Sequence, residues 1–131
     1  MTTPPAAALE TIGTELRRIG ARLDGAAAAR ADAAAVVVRP ALQLLADTAQ
    51  GIELRQAKTP PSARTVPVLP AAALADQVAV LGHDLVAAAT ACTGGTDGGP
   101  DPAVWSGGTR APLGEVLAAV SADLTALRRA L

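Results

Sequence analysis

Residues 70–92 read PAAALADQVAVLGHDLVAAATAC, and the spacing of the apolar side chains in this stretch decides the fold. Steps of four, three, four, three and four residues form one stripe along an α-helix, and in a coiled coil the same spacing makes the a/d contact line. The stripe consists of Leu74, Val78, Leu81, Leu85, Ala88 and Cys92. Because such a stripe must be buried, the sequence predicts partner helices with matching stripes.

The composition favours an all-α protein of one domain, residues 1–131. Roughly a quarter of the residues are alanine, the strongest helix former, and Phe and Tyr are absent. A chain of this length can build one core, which here must consist of small aliphatic side chains on closely packed helices. The absence of Asn and the single lysine, Lys58, indicate a bacterium with a GC-rich genome, not a selection for arginine.

A first partner helix is predicted over residues 4–23, because proline suits the first turn of a helix. Gly13 and Gly20 lie seven residues apart beside its apolar stripe. Glycine inside a helix costs about 1 kcal/mol relative to alanine, so the pair suggests that another backbone packs close. Simple tolerance of the two glycines explains the sequence equally well. The stripe itself is formed by Leu9, Ile12, Leu16, Ile19 and Leu23.

A second helix is predicted over residues 26–57, after a turn at 24–25 where glycine suits a left-handed conformation. Pro40 interrupts this helix, and because no turn-forming residue flanks it, we interpret it as a kink. The alternative is one helix over 4–38, a break, and another over 40–57. The predicted face carries Ala27, Ala31, Ala34, Val38, Leu42, Leu45, Ala49 and Ile52.

The second helix is longer than its neighbours, at about 48 Å against about 30 Å. One end must therefore overhang the bundle. Its alanine-rich first half, residues 26–35, is expected to be held weakly by the rest of the chain and to contact another copy or a partner.

Two connections and a final helix complete the chain. Residues 58–69 contain three prolines and predict an extended segment whose Val66, Val68 and Leu69 lie over an open seam. The run 93–111, rich in glycine and proline, predicts a flexible loop. The last helix, predicted over 112–131, carries the stripe Leu113, Leu117, Val120, Leu124, Leu127 and Leu131.

Helices over 4–23, 26–57, 70–92 and 112–131 predict a four-helix bundle. The default order is antiparallel up-down-up-down, although the two longer connections leave room for another order. The second helix is kinked by Pro40, and the flexible loop precedes the last helix.

Charge and targeting patterns exclude several classes of protein. A net charge of −1 with interspersed signs lacks the basic patch that nucleic-acid binding needs. The single cysteine excludes a disulfide framework. We find neither a signal peptide nor a membrane span, and we expect a cytoplasmic protein with no nucleic-acid or membrane partner.

No catalytic constellation is present, so we expect a protein that is not an enzyme and uses no cofactor or metal. His83 and Asp84 resemble one element of a metal site, but a lone histidine cannot complete it, and His83 points away from the stripe. Cys92 closes the stripe and has no activating base, which predicts a buried, inert thiol. The carboxylates lack the Glu-x-x-His pairs of a di-iron bundle, and no glycine-rich run has a phosphate-loop ending.

Trp105 is the most informative single residue, since it is the one aromatic side chain of the protein. It either plugs the open end of the bundle, the reading we favour, or anchors an interface. Arg110 is expected to cover the ring or to meet a carboxylate. The candidate interface or ligand contacts are Trp105, Arg110, His83, Gly13 and Gly20.

Two functions follow as hypotheses. The first is a non-enzymatic helical bundle that acts through protein–protein interaction or self-association, as a homo-oligomer or with a protein partner. The alternative is a bundle that binds a small apolar ligand, with the Trp105-bearing loop as a lid.

Overall fold

The computed structural model describes residues 4–94 and 101–131, apart from the side chains of residues 28 and 29. Four helices dominate it: α1 (Pro5–Asp24), α2 (Ala28–Glu53), α3 (Leu74–Gly94) and α4 (Leu113–Ala130). A short 3₁₀ turn, Ala71–Ala73, leads into α3, and a hairpin of β1 (Ala103–Ser106) and β2 (Thr109–Pro112) precedes α4. The predicted helical bundle is therefore confirmed, with the hairpin as an addition.

The break between the first two helices lies at Gly25, and α2 continues through Pro40. The alternative division, with its break at Pro40, is wrong. Gly25 has a φ of −85°, so the expected left-handed conformation is also wrong. The second helix ends at Glu53, four residues earlier than predicted, and residues 54–56 form a turn.

The helices α1 and α2, consecutive in sequence, occupy diagonal corners of the bundle. Each packs against α3 and α4. A guanidinium nitrogen of Arg22, near the end of α1, donates to the carbonyl oxygen of Arg128, near the end of α4, at 2.7 Å. The C-terminal ends of α1 and α4 therefore lie together, and the two helices are parallel.

Residues 54–70, which we call the strap, run back along α2. Gln43 donates to the carbonyl of Arg64 at 2.6 Å, and Arg39 donates to the carbonyl of Leu69 at 3.1 Å. The chain therefore starts α3 beside the middle of α2. Gln77 of α3 donates to the carbonyl of Pro67 at 3.0 Å, and Arg64 of the strap lines the same groove as Asp84 of α3. The helix α3 therefore folds back along the strap and runs parallel to α2.

The order of the helices is thus up-down-down-up, and the expected up-down-up-down order is wrong. The physical reason is the strap: an extended chain covers about 3.3 Å per residue, enough to return along a helix before the next one begins. The prolines of the strap suit this extended path. Of the valines expected over the seam, Val66 packs against the core, whereas Val68 remains 77% exposed.

The apolar stripe of α3 is buried with a small rotation. Leu74, Val78, Leu85 and Cys92 are buried as predicted, but Leu81 and Ala88 are only partly buried. Gly82 and Ala89 are buried in their place. A straight helix of 3.6 residues per turn drifts from a strict seven-residue repeat, which accounts for the shift.

Residues 103–112 form a two-stranded hairpin where a flexible loop was predicted, so that expectation is wrong. Trp105 pairs with Arg110 across the strands. Gly107 and Gly108, with φ of 59° and 88°, make the two-residue turn that matches the twist of paired strands. Residues 95–100, the first part of the predicted loop, lie outside the described residues.

Among the described residues, one segment is long and apolar enough to cross a membrane. It spans Ala71–Gly94, and its best window has a mean hydropathy of 1.2 with 22% of its residues buried. Its exposed side carries Asp76, His83 and Asp84, and charged groups are costly inside a bilayer. The expectation of no membrane span stays a prediction.

Candidate functional site

Trp105 and Arg110 attach the hairpin to the turn that follows α2. The indole nitrogen of Trp105 donates to the carbonyl of Ala57 at 3.3 Å. The guanidinium of Arg110 lies 4.3 Å from the centre of the ring and donates to the carbonyls of Arg55 and Ala57 at 2.7 and 2.8 Å. Arg110 therefore covers the ring, one of its two expected roles. The side chain of β1 that is buried in the core is Val104, with no exposed surface, and the role of Trp105 as a plug stays a prediction.

The packing of the hairpin against α2 depends on Gly51, a residue that was not among the predicted site residues. A Cβ atom at position 51 would lie 2.1 Å from the carbonyl oxygen of Trp105. Only glycine lets the hairpin approach α2 this closely. The available signal was a glycine in the second half of a helix otherwise rich in good helix formers.

Among residues 4–94 and 101–131, no backbone packs close to Gly13 or Gly20, contrary to expectation. A Cβ at position 13 would contact only an Arg17 side chain, at 3.6 Å, and nothing described lies within 4 Å of position 20. The close approach occurs instead at Gly82, where a Cβ would lie 2.7 Å from a methyl group of Leu16. Gly13 and Gly20 stay candidates only for contact with another molecule.

His83 is exposed, as its position opposite the stripe predicted, and so is its neighbour Asp84. Cys92 is buried, with no exposed surface. Within residues 4–94 and 101–131, no group of three His, Cys, Asp or Glu side chains is placed to hold a metal ion. His83 is therefore part of the exposed face of α3, and no described contact joins it to Trp105 or Arg110.

The strap covers an apolar groove between α2 and α3, which we call the strap groove. Its volume is about 470 Å³. Most of its lining is aliphatic, and the polar groups at it are Asp76, Asp84, Gln77, Arg64 and Thr65. Its apolar lining comprises Ala46, Ala49, Val66, Pro67, Leu69, Ala73, Val80 and Leu81.

The first half of α2 presents a second apolar surface, the α2 patch, formed by Ala33, Ala34, Val36, Val37 and Ala41. Val36 is 72% exposed and Val37 is 44% exposed. Val37 also lines two hollows, of about 560 and 460 Å³, which separate α2 from the end of α4. Two large aliphatic side chains, Val36 and Val37, are therefore in solvent just beyond residues 26–35, the segment for which contact with another copy or a partner was predicted.

None of the protein-family models, curated proteins or solved structures compared with this chain matches it. The features that bear on function are therefore the strap groove, the α2 patch and the hairpin that carries Trp105 and Arg110. The sequence pointed to Trp105, Arg110 and the first half of α2, but it did not locate the strap groove, which depends on the path of the strap.

Proposed function

We propose that this protein is a non-enzymatic helical bundle that acts through protein–protein contact, and that it associates with a second copy of itself through the α2 patch. The observation that carries the proposal is the exposure of two adjacent valines on α2, Val36 at 72% and Val37 at 44%. Burying apolar surface yields roughly 25 cal/mol per Å². Because Val36 is not buried by its own chain, its side chain is available for burial against a partner.

The shape of the surface supports this contact. Val37 lies between two hollows that follow one another along α2, on its side toward the end of α4. A ridge of side chains flanked by grooves is the geometry through which helices pack against one another. A second α2 can place its own valines in these hollows, so that each copy supplies both ridge and groove, as an interface with two-fold symmetry requires.

The charges around Val36 are self-complementary. Asp32 precedes Val36 by four residues and Arg39 follows it by three, so the three residues lie on one face of α2. When two copies of α2 cross antiparallel about Val36, Asp32 of each copy comes near Arg39 of the other. The like-charged pairs of a parallel arrangement are avoided, which favours the antiparallel dimer.

The lack of a catalytic constellation supports the non-enzymatic part of the proposal. Cys92 is buried, and His83 is exposed on α3 without a metal-binding group around it among the described residues. A nucleophile needs an adjacent base, and a base needs a group that orients it. In the sequence, no pair of groups offers both a nucleophile or base and a residue to orient it.

The proposal is tested by measuring molar mass with light scattering across a range of protein concentrations. The wild-type protein is expected to shift toward the mass of a dimer, and Val36→Glu is expected to remain monomeric because it buries a charge in the contact. Val68→Glu is the matched control, since Val68 is similarly exposed, at 77%, but lies in the strap. A wild-type protein that stays monomeric at high micromolar concentration contradicts self-association.

A second candidate function is the binding of a small apolar molecule, and the strap groove is the observation that favours it. Its volume of about 470 Å³ lies within the range of ligand pockets. Its position differs from the one expected, because it lies beneath the strap and not beneath the segment 93–111. Trp105 does not line it, so Trp105 fluorescence is a poor reporter, and backbone amide NMR shifts of groove residues are the suitable measurement.

A further inference from the structure

The strap groove has an apolar interior that can hold a hydrocarbon chain. The small side chains of Ala46 and Ala49 on α2 leave space that Val66 and Leu69 of the strap cover from outside. Val80, 60% exposed, marks its open side. A chain of methylene groups placed there gains roughly 0.8 kcal/mol for each group that it buries.

Negative charge predominates at this groove. Asp76 and Asp84 lie eight residues apart on α3, about 12 Å along the helix axis, and both line the groove. No hydrogen bond or ion pair of either carboxylate is found within residues 4–94 and 101–131. Their negative charge is thus not offset by a neighbouring side chain.

Two other polar groups of the groove, Arg64 and Gln77, are already engaged. The guanidinium of Arg64 forms an ion pair with Glu53 at 3.1 Å. The amide nitrogen of Gln77 donates to the carbonyl of Pro67 at 3.0 Å. A ligand that enters the groove therefore meets two carboxylates whose charge is uncompensated and a cation that is already paired.

We propose that the strap groove binds a small amphiphilic cation, with its alkyl chain beneath the strap and its ammonium or amidinium group at Asp76 or Asp84. This inference rests on the second candidate function, ligand binding, and adds the charge and shape of the ligand. An anionic amphiphile is repelled by the two carboxylates, and a neutral one gains only the burial of its chain. The charge of the head group therefore sets the selectivity.

The test uses three probes that share an eight-carbon chain and differ in head-group charge: octyltrimethylammonium, octanoate and octan-1-ol. Affinities are measured by calorimetry and by amide NMR shifts of Val80, Leu81 and Ala49 in the wild-type protein. Octyltrimethylammonium is expected to bind three- to ten-fold more tightly than octan-1-ol, as one or two exposed charge contacts provide. Octanoate is expected to bind more weakly than both.

Variants assign the selectivity to the two carboxylates. Asp76→Asn with Asp84→Asn is expected to remove the preference for the cation and to leave octan-1-ol binding unchanged. Asp24→Asn is the matched control, because Asp24 is an exposed carboxylate at the end of α1 that lies outside the groove. Val80→Lys, at an exposed position of the groove, is expected to abolish binding of the cation without disturbing the core.

The outcomes separate the inference from the function on which it rests. Equal affinity for the three probes, or tighter binding of octanoate, overturns the charge selectivity while ligand binding stands. Absence of groove shifts with all three probes overturns both. A groove occupied by a second copy of the chain shows as a halving of molar mass when the probe is added, and this result also overturns the inference.

Discussion

At the scale of single residues, glycines of similar appearance in the sequence have opposite roles. Gly51 has no space for a side chain, because the carbonyl oxygen of Trp105 occupies the place of its Cβ. Nothing described lies within 4 Å of the corresponding place at Gly20, although both residues sit inside helices. The same substitution must therefore change stability in opposite directions at the two positions.

Gly51→Ala is expected to destabilise the protein by about 1–3 kcal/mol, because the hairpin must move away from α2 to relieve the overlap. Gly20→Ala is its control and is expected to stabilise the protein by about 0.5–1 kcal/mol, since alanine is the better helix former. Urea unfolding followed by Trp105 fluorescence measures both. Equal effects of the two substitutions would show that Gly51 is not in close contact with the hairpin.

At the scale of secondary-structure elements, the hairpin is attached to the turn that follows α2. Carbonyl groups just after a helix have no place in its hydrogen-bond ladder and need other donors. Beyond the end of α2, the carbonyls of Arg55 and Ala57 accept hydrogen bonds from Arg110, and the ring of Trp105 supports the same guanidinium. One arginine thus fixes the hairpin, the turn after α2 and the only aromatic side chain of the chain relative to one another.

Arg110→Met is expected to lower the free energy of unfolding by about 1–2 kcal/mol, as two hydrogen bonds and a cation–π contact are lost while most of the side-chain volume remains. Trp105 fluorescence is expected to shift to longer wavelength because the ring becomes more exposed to water. Arg129→Met, at an exposed position in the last turn of α4, is the control and should change neither quantity appreciably. An unchanged emission spectrum in Arg110→Met would mean that the guanidinium does not shield the ring.

The helices were predictable from the sequence, but the hairpin and the strap groove were not. Apolar residues that recur every three or four positions can be buried only on a helix, so α1, α3 and α4 follow directly from Leu9, Leu74, Leu117 and their repeats. Glycine and proline around Trp105 favour a loop and a hairpin alike. The one local signal for a hairpin was the adjacent pair Gly107 and Gly108, which suits a two-residue turn. The groove depends on contacts between elements distant in sequence, which no local pattern specifies.

At the scale of the whole molecule, a buried ion pair joins the two helices that are farthest apart in sequence. Glu15 of α1 forms a salt bridge with Arg128 of α4, and the side chains of the two residues are 6% and 18% exposed. Arg18 lies 3.7 Å from the same carboxylate. Arg22, about two turns beyond Glu15 on α1, donates to the Arg128 carbonyl, so these contacts fit the parallel arrangement of α1 and α4.

Arg128→Met is expected to destabilise the protein by about 3 kcal/mol, because it leaves the buried carboxylate of Glu15 with Arg18 alone. Glu15→Met is expected to cost less, since Arg128 can turn toward water. The double variant should be more stable than Arg128→Met, and a thermodynamic cycle from chemical unfolding measures the coupling. Additive losses in the double variant would show that the two side chains do not interact.

The parallel pairing of α1 with α4 and of α2 with α3 also has an electrostatic consequence. Each helix carries a macrodipole equivalent to about half a negative charge at its C-terminal end, so each parallel pair sets two such ends side by side. Arg22 at the end of α1 and Arg128 and Arg129 at the end of α4 supply the positive charge that offsets one of these pairs. In an alternating bundle, each negative C-terminal end would lie beside a positive N-terminal end. The positive charge of three neighbouring arginines would then have no pair of negative helix ends to offset.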